Sequence, residues 1–409
     1  MLRSQQLVEQ VDSSPSVSAS NLVPIIVACI LVMIDGYDMF IVSFLAPLIS
    51  GELHLTPMGL GRVFTAGLAG SMAGGVVLGP VADRLGRTRT LVASLVVAGI
   101  ATILCSRASS FGGFGLLRFV SGFALGGVLT AVVPLVAEHF SATRRSAAVT
   151  LMFVGYPLGA VVGGAVTALL YAQGWRPLFL GTGVLLLAAA PLSLTMRETV
   201  NQQGVVAESG VRWQVAFLGA FAEGRLIASA FLATGIFCML LVTYLLTSWI
   251  PMIAVRSGMT PGVAALCGVF LNLGGVTGAL LSTLAVRKLG VFKLVAFMIA
   301  TGALCIALIG QFFSSAATLW AMLFLAGALA IGGQQNTPAM CVQLYPRRVR
   351  ATGAGWMFAA GRIGSMLGPI LGAHLLSIDT HPQTMFVIVA VPTLVAALAY
   401  ATVDVVRPR

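Results

Sequence analysis

The sequence predicts an all-α polytopic membrane protein with twelve transmembrane helices in two pseudo-symmetric six-helix bundles. Three observations predict this fold class. Hydrophobic residues make up 58% of the 409 positions and charged residues only 9%, with a mean hydropathy of +1.00. The apolar runs are repeatedly long enough to cross a bilayer core of about 30 Å as helices. The second half of the chain also repeats a pattern of glycines and charges found in the first.

The composition excludes a water-soluble globular protein, because such a protein carries about 25% charged residues. The net charge of +11 does not indicate a nucleic-acid-binding face, since the basic residues are grouped in short polar gaps between apolar runs. The six cysteines lie in apolar segments without CxxC spacing. We therefore expect them to pack as small apolar side chains, with no metal site.

Apolar runs between polar breaks define the domain organisation. Residues 21–196 are predicted to form the first bundle and 226–405 the second, with a cytoplasmic linker at 197–225. Residues 1–20 are predicted to be a disordered cytoplasmic tail, and 406–409 a second cytoplasmic tail. The predicted spans are 22–49, 58–81, 90–107, 112–138, 147–171, 177–196, 226–252, 262–286, 291–313, 316–343, 351–377 and 384–405.

The distribution of Lys and Arg predicts the orientation of these spans. With both termini inside, the cytoplasmic segments carry 17 basic residues and the outer segments carry four, while Arg118 and Arg362 fall within spans. Short cytoplasmic loops carry such an excess in membrane proteins. Both termini are therefore predicted to be cytoplasmic.

Internal repetition favours a carrier over a membrane enzyme. Matched glycines four residues apart fit close helix packing in lipid, and two parallel six-helix repeats are typical of alternating-access carriers. No cluster of nucleophile and base or of metal ligands is evident in the sequence, which also disfavours an enzyme. At offsets of 204 and 205, the aligned glycines are Gly70 with Gly274, Gly74 with Gly278, Gly159 with Gly364, and Gly163 with Gly368.

Two carboxylates interrupt the first span, in the stretch IDGYDMF (34–40). Asp35 and Asp38 are three residues apart and so share one face of a helix. Two buried carboxylates this close cannot easily both be ionised, which suits a proton carrier. Asp38 is the better candidate because it lies one turn deeper, but both could instead be structural counter-ions of the span arginines. An intramembrane aspartyl protease is disfavoured because the chain has no GxGD sequence.

The two arginines within spans are candidate anion ligands. Arg118 opens RFVSGFALGG in span four, and Arg362 lies in GWMFAAGRIGSMLGP (355–369) in span eleven. An arginine in the middle of a membrane costs at least about 2.5–3.5 kcal/mol, so it normally faces a cavity and a partner. Arg118 could alternatively extend to the outer surface, because it lies near that end of its span.

Polar and aromatic side chains in the second half add further candidates. Amides in a membrane helix are costly unless they meet solvent, a ligand or another helix, so structural hydrogen bonding between helices remains an alternative. Tyr and Trp are also common at membrane interfaces. The candidates are Tyr244 and Trp249 in span seven, Asn272 in span eight, and Gln334, Gln335 and Asn336 in span ten.

The loop between spans two and three, GPVADRLGRTR (79–89), resembles the signature loop of the major facilitator superfamily, with a degenerate copy, RKLG, at 287–290. In that family the aspartate equivalent to Asp83 faces the N-terminus of span eleven, where the helix dipole favours a carboxylate. The resemblance implies a cytoplasmic gate, although loop charges that only set topology are an alternative. The implied gating residues are Asp83, Arg84, Arg87, Glu138 and Arg144, with Arg87 able to pair with Glu138.

Three further motifs resemble the aromatic acid/proton symporters of this superfamily, benzoate- and hydroxybenzoate-type transporters of bacteria. They are DGYD (35–38), YLLTSWIP (244–251), and YPRRVRATGAGW with GRIGS (345–365). The resemblance covers essentially the whole chain. One departure is the exit of span six, LTMRETV (194–200), which lacks the Pro-Glu-Ser-Pro ending common among relatives.

The resemblance implies a major facilitator fold and import of a small aromatic carboxylate, of the benzoate, hydroxybenzoate or phenoxyacetate class, with protons. Arg118 and Arg362 would bind the carboxylate, Tyr244 or Trp249 would flank the ring, and the two aspartates would carry the proton. We expect a bacterial inner-membrane monomer, driven by the proton gradient without a cofactor. The alternatives are a symporter of a non-aromatic acid such as muconate, a proton-coupled exporter of organic anions, and a sensor that does not transport.

Overall fold

The computed structural model describes residues 19–140, 145–196, 224–346 and 349–407, which form twelve long helices. A short helix, Ala46–Glu52, follows α1, and 3₁₀ turns follow α5 and α9. The long helices are α1 Ala19–Phe44, α2 Pro57–Leu85, α3 Arg87–Cys105, α4 Phe111–Glu138, α5 Arg145–Leu170, α6 Trp175–Ser193, α7 Arg225–Arg256, α8 Pro261–Leu289, α9 Val291–Leu308, α10 Ala316–Leu344, α11 Arg350–Ser377 and α12 Pro382–Val406.

The predicted fold class is confirmed. Among the described residues, eleven of these helices are long and apolar enough to cross a membrane. Helix α11 has 28 residues and is equally long, but it is less apolar because it contains Arg362, His374 and six glycines. The predicted linker at 197–225 falls outside the described residues up to position 223.

Local sequence signals set several helix ends. The Thr56 side chain accepts a hydrogen bond from the Gly59 N–H at the start of α2, just before Pro57, which favours a first helical turn. Gly86 ends α2 at φ 102° and Gly290 ends α8 at φ 76°. These positive φ values suit glycine, and the two glycines occupy equivalent loops of the two halves.

Two predicted spans are interrupted in the structure. Span one, predicted over 22–49, ends as a helix at Phe44 and restarts at Ala46, where Pro47 lacks the N–H that a continuous helix needs. Span ten contains a π-helical segment, Gly327–Ile331, and a break at Gln335 and Asn336 before Thr337 starts its last part. A π-helical segment changes the direction of the side chains that follow it, which here include the amides.

The repeated glycines pack equivalent helix pairs together. A Cβ at Gly74 would lie 2.9 Å from the Cα of Phe123, and one at Gly278 would lie 2.7 Å from the Cα of Ala328. The first contact joins α2 to α4 and the second joins α8 to α10. Gly159 and Gly364 do the same between α1 and α5 and between α7 and α11. The pseudo-symmetry read from the sequence is thus present in the helix contacts.

We call the end of the molecule where α1 begins and α12 finishes the terminal end. The two halves touch at the opposite end. The Phe64 and Trp249 rings pack edge to face with centroids 5.4 Å apart. The Ser43 hydroxyl donates to the Ser248 carbonyl at 2.9 Å. Nearer the terminal end, Val76 of α2 and Phe358 of α11 are exposed.

The glycine packing leads to a testable prediction. Replacing Gly74 by Ala should lower the free energy of unfolding by about 1–3 kcal/mol, because the new methyl group meets the α4 backbone, which cannot move without disturbing the helix pair. The matched control is Gly79→Ala in the same helix, where a Cβ would have no neighbour within 4 Å. Thermal unfolding of the purified variants measures the difference. Equal stability of the two variants would contradict the packing argument.

Candidate substrate and proton site

Asp38 and Arg118 form a buried ion pair inside the first half. Asp38 is 0% exposed and Arg118 is 1% exposed. The Arg118 Nη1 donates to Asp38 Oδ2 at 3.0 Å, and its Nη2 donates to the Asp38 carbonyl oxygen at 2.8 Å. Two hydroxyls also donate hydrogen bonds to the Asp38 carboxylate: Thr102 donates to Oδ1 at 2.8 Å and Ser121 to Oδ2 at 3.2 Å. Both carboxylate oxygens therefore have donors.

Three helices position this pair. Asp38 comes from α1, Thr102 from α3, and Arg118 and Ser121 lie one turn apart on α4. Arg118 therefore does not extend to the outer surface but points into the first half, where the carboxylate supplies the partner that a buried cation requires. In this conformation its guanidinium is committed to Asp38 rather than open to a ligand.

Asp35 lies one turn earlier in a different environment. Its side chain is buried, and its Oδ2 has no hydrogen-bond partner among the described residues. The next residue, Gly36, lets the backbone of α5 approach, since a Cβ there would lie 3.1 Å from the Cα of Tyr156. Asp35 thus sits where α1 meets α5, with one carboxylate oxygen unsatisfied.

Arg362 is the second cation of the site. It is partly buried near the middle of α11 and lies within the electrostatic range of Asp35 and Tyr156. Within the part of the chain that the structure describes, its guanidinium makes no ion pair or hydrogen bond. Arg362 therefore differs from Arg118, because its charge is available to an added anion.

Three aromatic rings form a cluster, and one of them, Tyr156, lies within the electrostatic range of Asp35 and Arg362. The Phe40 ring packs against Tyr156 with centroids 5.7 Å apart and against Tyr244 with centroids 6.3 Å apart. The two tyrosine hydroxyls are close enough to interact. Tyr244 is one of the predicted ring contacts, whereas Phe40 and Tyr156 were missed. The repeat could have found Phe40, because it lies 204 residues before Tyr244, at the offset of the two halves.

The other predicted ring contact, Trp249, lies elsewhere. It is 0% exposed, donates from Nε1 to the Pro369 carbonyl at 2.9 Å, and packs against Phe64. These contacts place it in the interface where the halves meet, away from Arg362. The structure therefore does not bring Trp249 together with Tyr244 as two faces of one ring site.

The predicted amides are mostly engaged with their own bundle. The Asn272 amide donates to the Gly268 carbonyl of the same helix at 2.9 Å, and Asn336 donates to Ser282 at 3.0 Å, joining α10 to α8. Gln335 is exposed. Gln334 accepts a hydrogen bond at 2.7 Å from Thr243. Because Thr243 precedes Tyr244 in the sequence, this bond links Gln334 to the part of α7 that carries Tyr244.

Three of the five predicted gating residues form a cluster at the terminal end. Arg87 pairs with Asp83 at 3.2 Å and also with Glu138 at the end of α4. The Asp83 side chain is 54% exposed, and among the described contacts it has none to α11. Arg84 is exposed, and Arg144 lies outside the described residues. Three of the five predicted gating residues, Asp83, Arg87 and Glu138, thus come together, and their described ion pairs lie within the first half.

Comparison with known proteins identifies the family of the chain. A family model described as Major Facilitator Superfamily matches residues 28–338 and 292–409. The 4-hydroxybenzoate transporter of Pseudomonas putida is 31% identical over 93% of this chain and 91% of its own length. The 3-(3-hydroxy-phenyl)propionate transporter of Escherichia coli strain K12 is 31% identical over 94% of this chain and 95% of its own.

Solved structures extend the likeness to the fold. The crystal structure of a D-xylose-proton symporter superposes with a TM-score of 0.77 over 93% of this chain and 97% of its own, at 16% identity. At that identity the likeness concerns the arrangement of the helices alone.

The buried ion pair leads to a prediction about stability. Replacing Arg118 by Met should cost about 3–5 kcal/mol, because Asp38 then remains buried without its cation. The double variant, Arg118→Met with Asp38→Asn, should recover part of that loss. Thermal unfolding of the purified proteins provides the measurement, with exposed Arg107→Met as the control. Losses that simply add in the double variant would contradict a direct pairing.

Proposed function

Since the chain belongs to the Major Facilitator Superfamily, and within it to the aromatic acid transporters, we propose that it imports a small aromatic carboxylate together with protons by alternating access. It is a membrane transport protein and not an enzyme. The observation that carries the proposal is Arg362, which has no ion pair or side-chain hydrogen bond among the described residues and lies within electrostatic range of Tyr156, a member of a cluster of three aromatic rings. The relatives named above transport 4-hydroxybenzoate and 3-(3-hydroxy-phenyl)propionate, which share a carboxylate and an aromatic ring.

We assign the substrate carboxylate to Arg362. A planar guanidinium can hold both carboxylate oxygens at once, and this one has no competing partner among the residues described. Phe40 and Tyr244 provide apolar surface for the ring. Arg118 is assigned to holding Asp38, because its donors are already used there.

The two aspartates take different roles in this proposal. Asp38 accepts an ion pair and two hydroxyl donors, so its charged form is well supported. Asp35 has a buried oxygen without a donor, so little stabilises the charged form of its carboxylate. Binding a proton would remove the free-energy cost of burying that charge. This contrast supports Asp35 as the proton carrier. The sequence instead favours Asp38, because Asp38 lies one turn deeper in the span.

Proton coupling solves an energetic problem of import. Moving one negative charge into a cell that is negative inside costs about 2.3 kcal/mol per 100 mV. One accompanying proton makes the step electroneutral. The proton gradient, without any cofactor, then provides the driving force.

The proposed orientation follows the basic residues. We place both termini in the cytoplasm of a bacterial cell, so the terminal end with its 17 basic residues faces inward. The halves touch at the opposite, outer end, which supports an inward-facing state in this structure. The charges around Asp83 and Arg87 would then meet α11 only when the inner side closes.

Transport by purified protein tests the proposal. Proteoliposomes with an imposed pH gradient should accumulate labelled benzoate or 4-hydroxybenzoate and take up protons with it. Failure of labelled substrate to exchange would exclude a carrier. Proton flow opposite to the acid would indicate an exporter, and accumulation of muconate with no aromatic acid would indicate the non-aromatic alternative.

Replacing Arg362 should remove the anion site. Arg362→Gln should abolish saturable binding of benzoate, and Arg362→Lys should weaken it at least about tenfold, because a point charge replaces a two-pronged donor. Equilibrium dialysis with labelled benzoate measures both, and Arg107→Gln, an exposed position, is the control. Wild-type affinity in the Gln variant would remove Arg362 from the site.

Replacing Asp35 should separate exchange from accumulation. Asp35→Asn cannot release a proton, so uptake driven by a pH gradient should fall to the background level. Exchange of labelled for unlabelled benzoate should persist, because it needs no net proton movement. The matched control is Asp379→Asn, in an exposed loop at a positive φ that Asn tolerates. Undiminished accumulation by Asp35→Asn would assign the coupling to another group.

A further inference from the structure

Tyr156 occupies a special place between the two halves. It comes from α5 of the first half, whereas Tyr244 comes from α7 of the second. Both rings contact Phe40, and the three residues share one small apolar cluster. The Tyr156 hydroxyl interacts with that of Tyr244 and lies within electrostatic range of Arg362 and Asp35. One hydroxyl donor from each half therefore reaches the proposed anion site.

A carboxylate bound at this position needs more donors than Arg362 provides. Its two oxygens offer about four acceptor sites, of which a guanidinium satisfies two. Buried polar groups that stay unsatisfied cost free energy, so nearby hydroxyls are the expected partners for the rest. Among the described residues, Tyr156 carries such a hydrogen within electrostatic range of Arg362, and Tyr244, with which Tyr156 interacts, carries a second.

We propose that Tyr156 is a further substrate-contacting residue. Its hydroxyl and that of Tyr244 each donate a hydrogen bond to the carboxylate held by Arg362, replacing the contact that they make with each other. This inference rests on the proposed function, because it needs an acid at Arg362. It also assigns the tyrosines a role in closure, since the ligand is then held by one donor from each half.

The nearby backbone supports a fixed position for Tyr156. A Cβ at Gly36 would lie 3.1 Å from the Tyr156 Cα, and a Cβ at Gly155 would lie 2.6 Å from the Cys29 carbonyl oxygen. The two glycines therefore allow α1 and α5 to come into backbone contact beside Tyr156. Tyr156 is therefore held by packing next to Asp35. A proton on Asp35 and an anion between the tyrosines would occupy adjacent positions, which suits their joint movement.

Binding of labelled benzoate to purified protein tests the inference. Tyr156→Phe and Tyr244→Phe should each weaken binding about tenfold, and the double variant should bind more weakly than either. The control is Tyr171→Phe, because the Tyr171 hydroxyl has no hydrogen-bond partner among the described residues. The inference is overturned if Tyr156→Phe binds benzoate as tightly as the wild type, or if the double variant is no weaker than Tyr244→Phe.

A second measurement needs no change at Tyr156. Benzoate should shift the tyrosine bands of the Raman spectrum in the Tyr244→Phe protein, because the Tyr156 hydroxyl gains a charged acceptor. Unshifted bands in protein that binds benzoate would overturn the role of Tyr156 and leave the proposed function standing. A wild-type protein that binds no aromatic acid would overturn both.

Discussion

A charged side chain in the hydrocarbon region of a membrane needs either a partner or an aqueous cavity, and Asp38 and Arg118 satisfy this requirement for each other. Their ion pair connects α1 with α4, and α3 joins them because the hydroxyls of Thr102 and Ser121 donate hydrogen bonds to the same Asp38 carboxylate. Removing either charge would leave the other buried in an apolar bundle. The arrangement of the first half therefore depends on this pair, and only the charges that it leaves uncompensated are free to act on a ligand.

Helix packing holds each half together and joins the two halves at one end. Within each half, glycines such as Gly74 and Gly278 bring backbones together, so these helix pairs have little freedom to shift. Between the halves, α5 packs on α8 and α2 packs on α11. The contacts there include Trp249 against Phe64 and the close approach of Gly61 to the Pro369 carbonyl oxygen, which a Cβ would meet at 3.2 Å. Two bundles, each held together by its own close helix pairs, are what rocking about a central site requires.

The sequence predicts the helices and their pseudo-symmetry because both follow from patterns that are local or periodic. Apolar length fixes the spans, and small residues at a constant offset fix the packing faces. The break in α10 was not predicted, since a π-helical segment depends on how its neighbours pack. The pairing of Arg118 with Asp38 was one of two open alternatives, because sequence alone does not say which cation a buried acid faces.

The candidate site was predicted less completely for a related reason. Residue type favours Tyr244 and Trp249 equally as ring contacts, yet of the two only Tyr244 packs against Phe40. The direction in which a helical side chain points relative to a site depends on how the whole bundle packs, which residue type does not reveal. Tyr156 had no signal of its own apart from its place on α5. The amides Asn272 and Asn336 are equally costly in a membrane whether they bind a ligand or a neighbouring helix, and here they bind their own bundle.

On the proposed assignments, charge balance at the centre of the molecule is enough to couple the acid to a proton. Among the described residues, the charged groups there without an ion pair are one cation, Arg362, and one carboxyl group, Asp35. With Asp35 ionised, the empty site is neutral, and an entering carboxylate would leave one unbalanced negative charge in an apolar surrounding, at a cost of several kcal/mol. A proton on Asp35 restores neutrality, so the acid and the proton stabilise each other's binding without direct contact. Because Asp38 and Arg118 form an ion pair with each other, they add no net charge to this balance. On the proposed assignments, at least one proton therefore accompanies each acid.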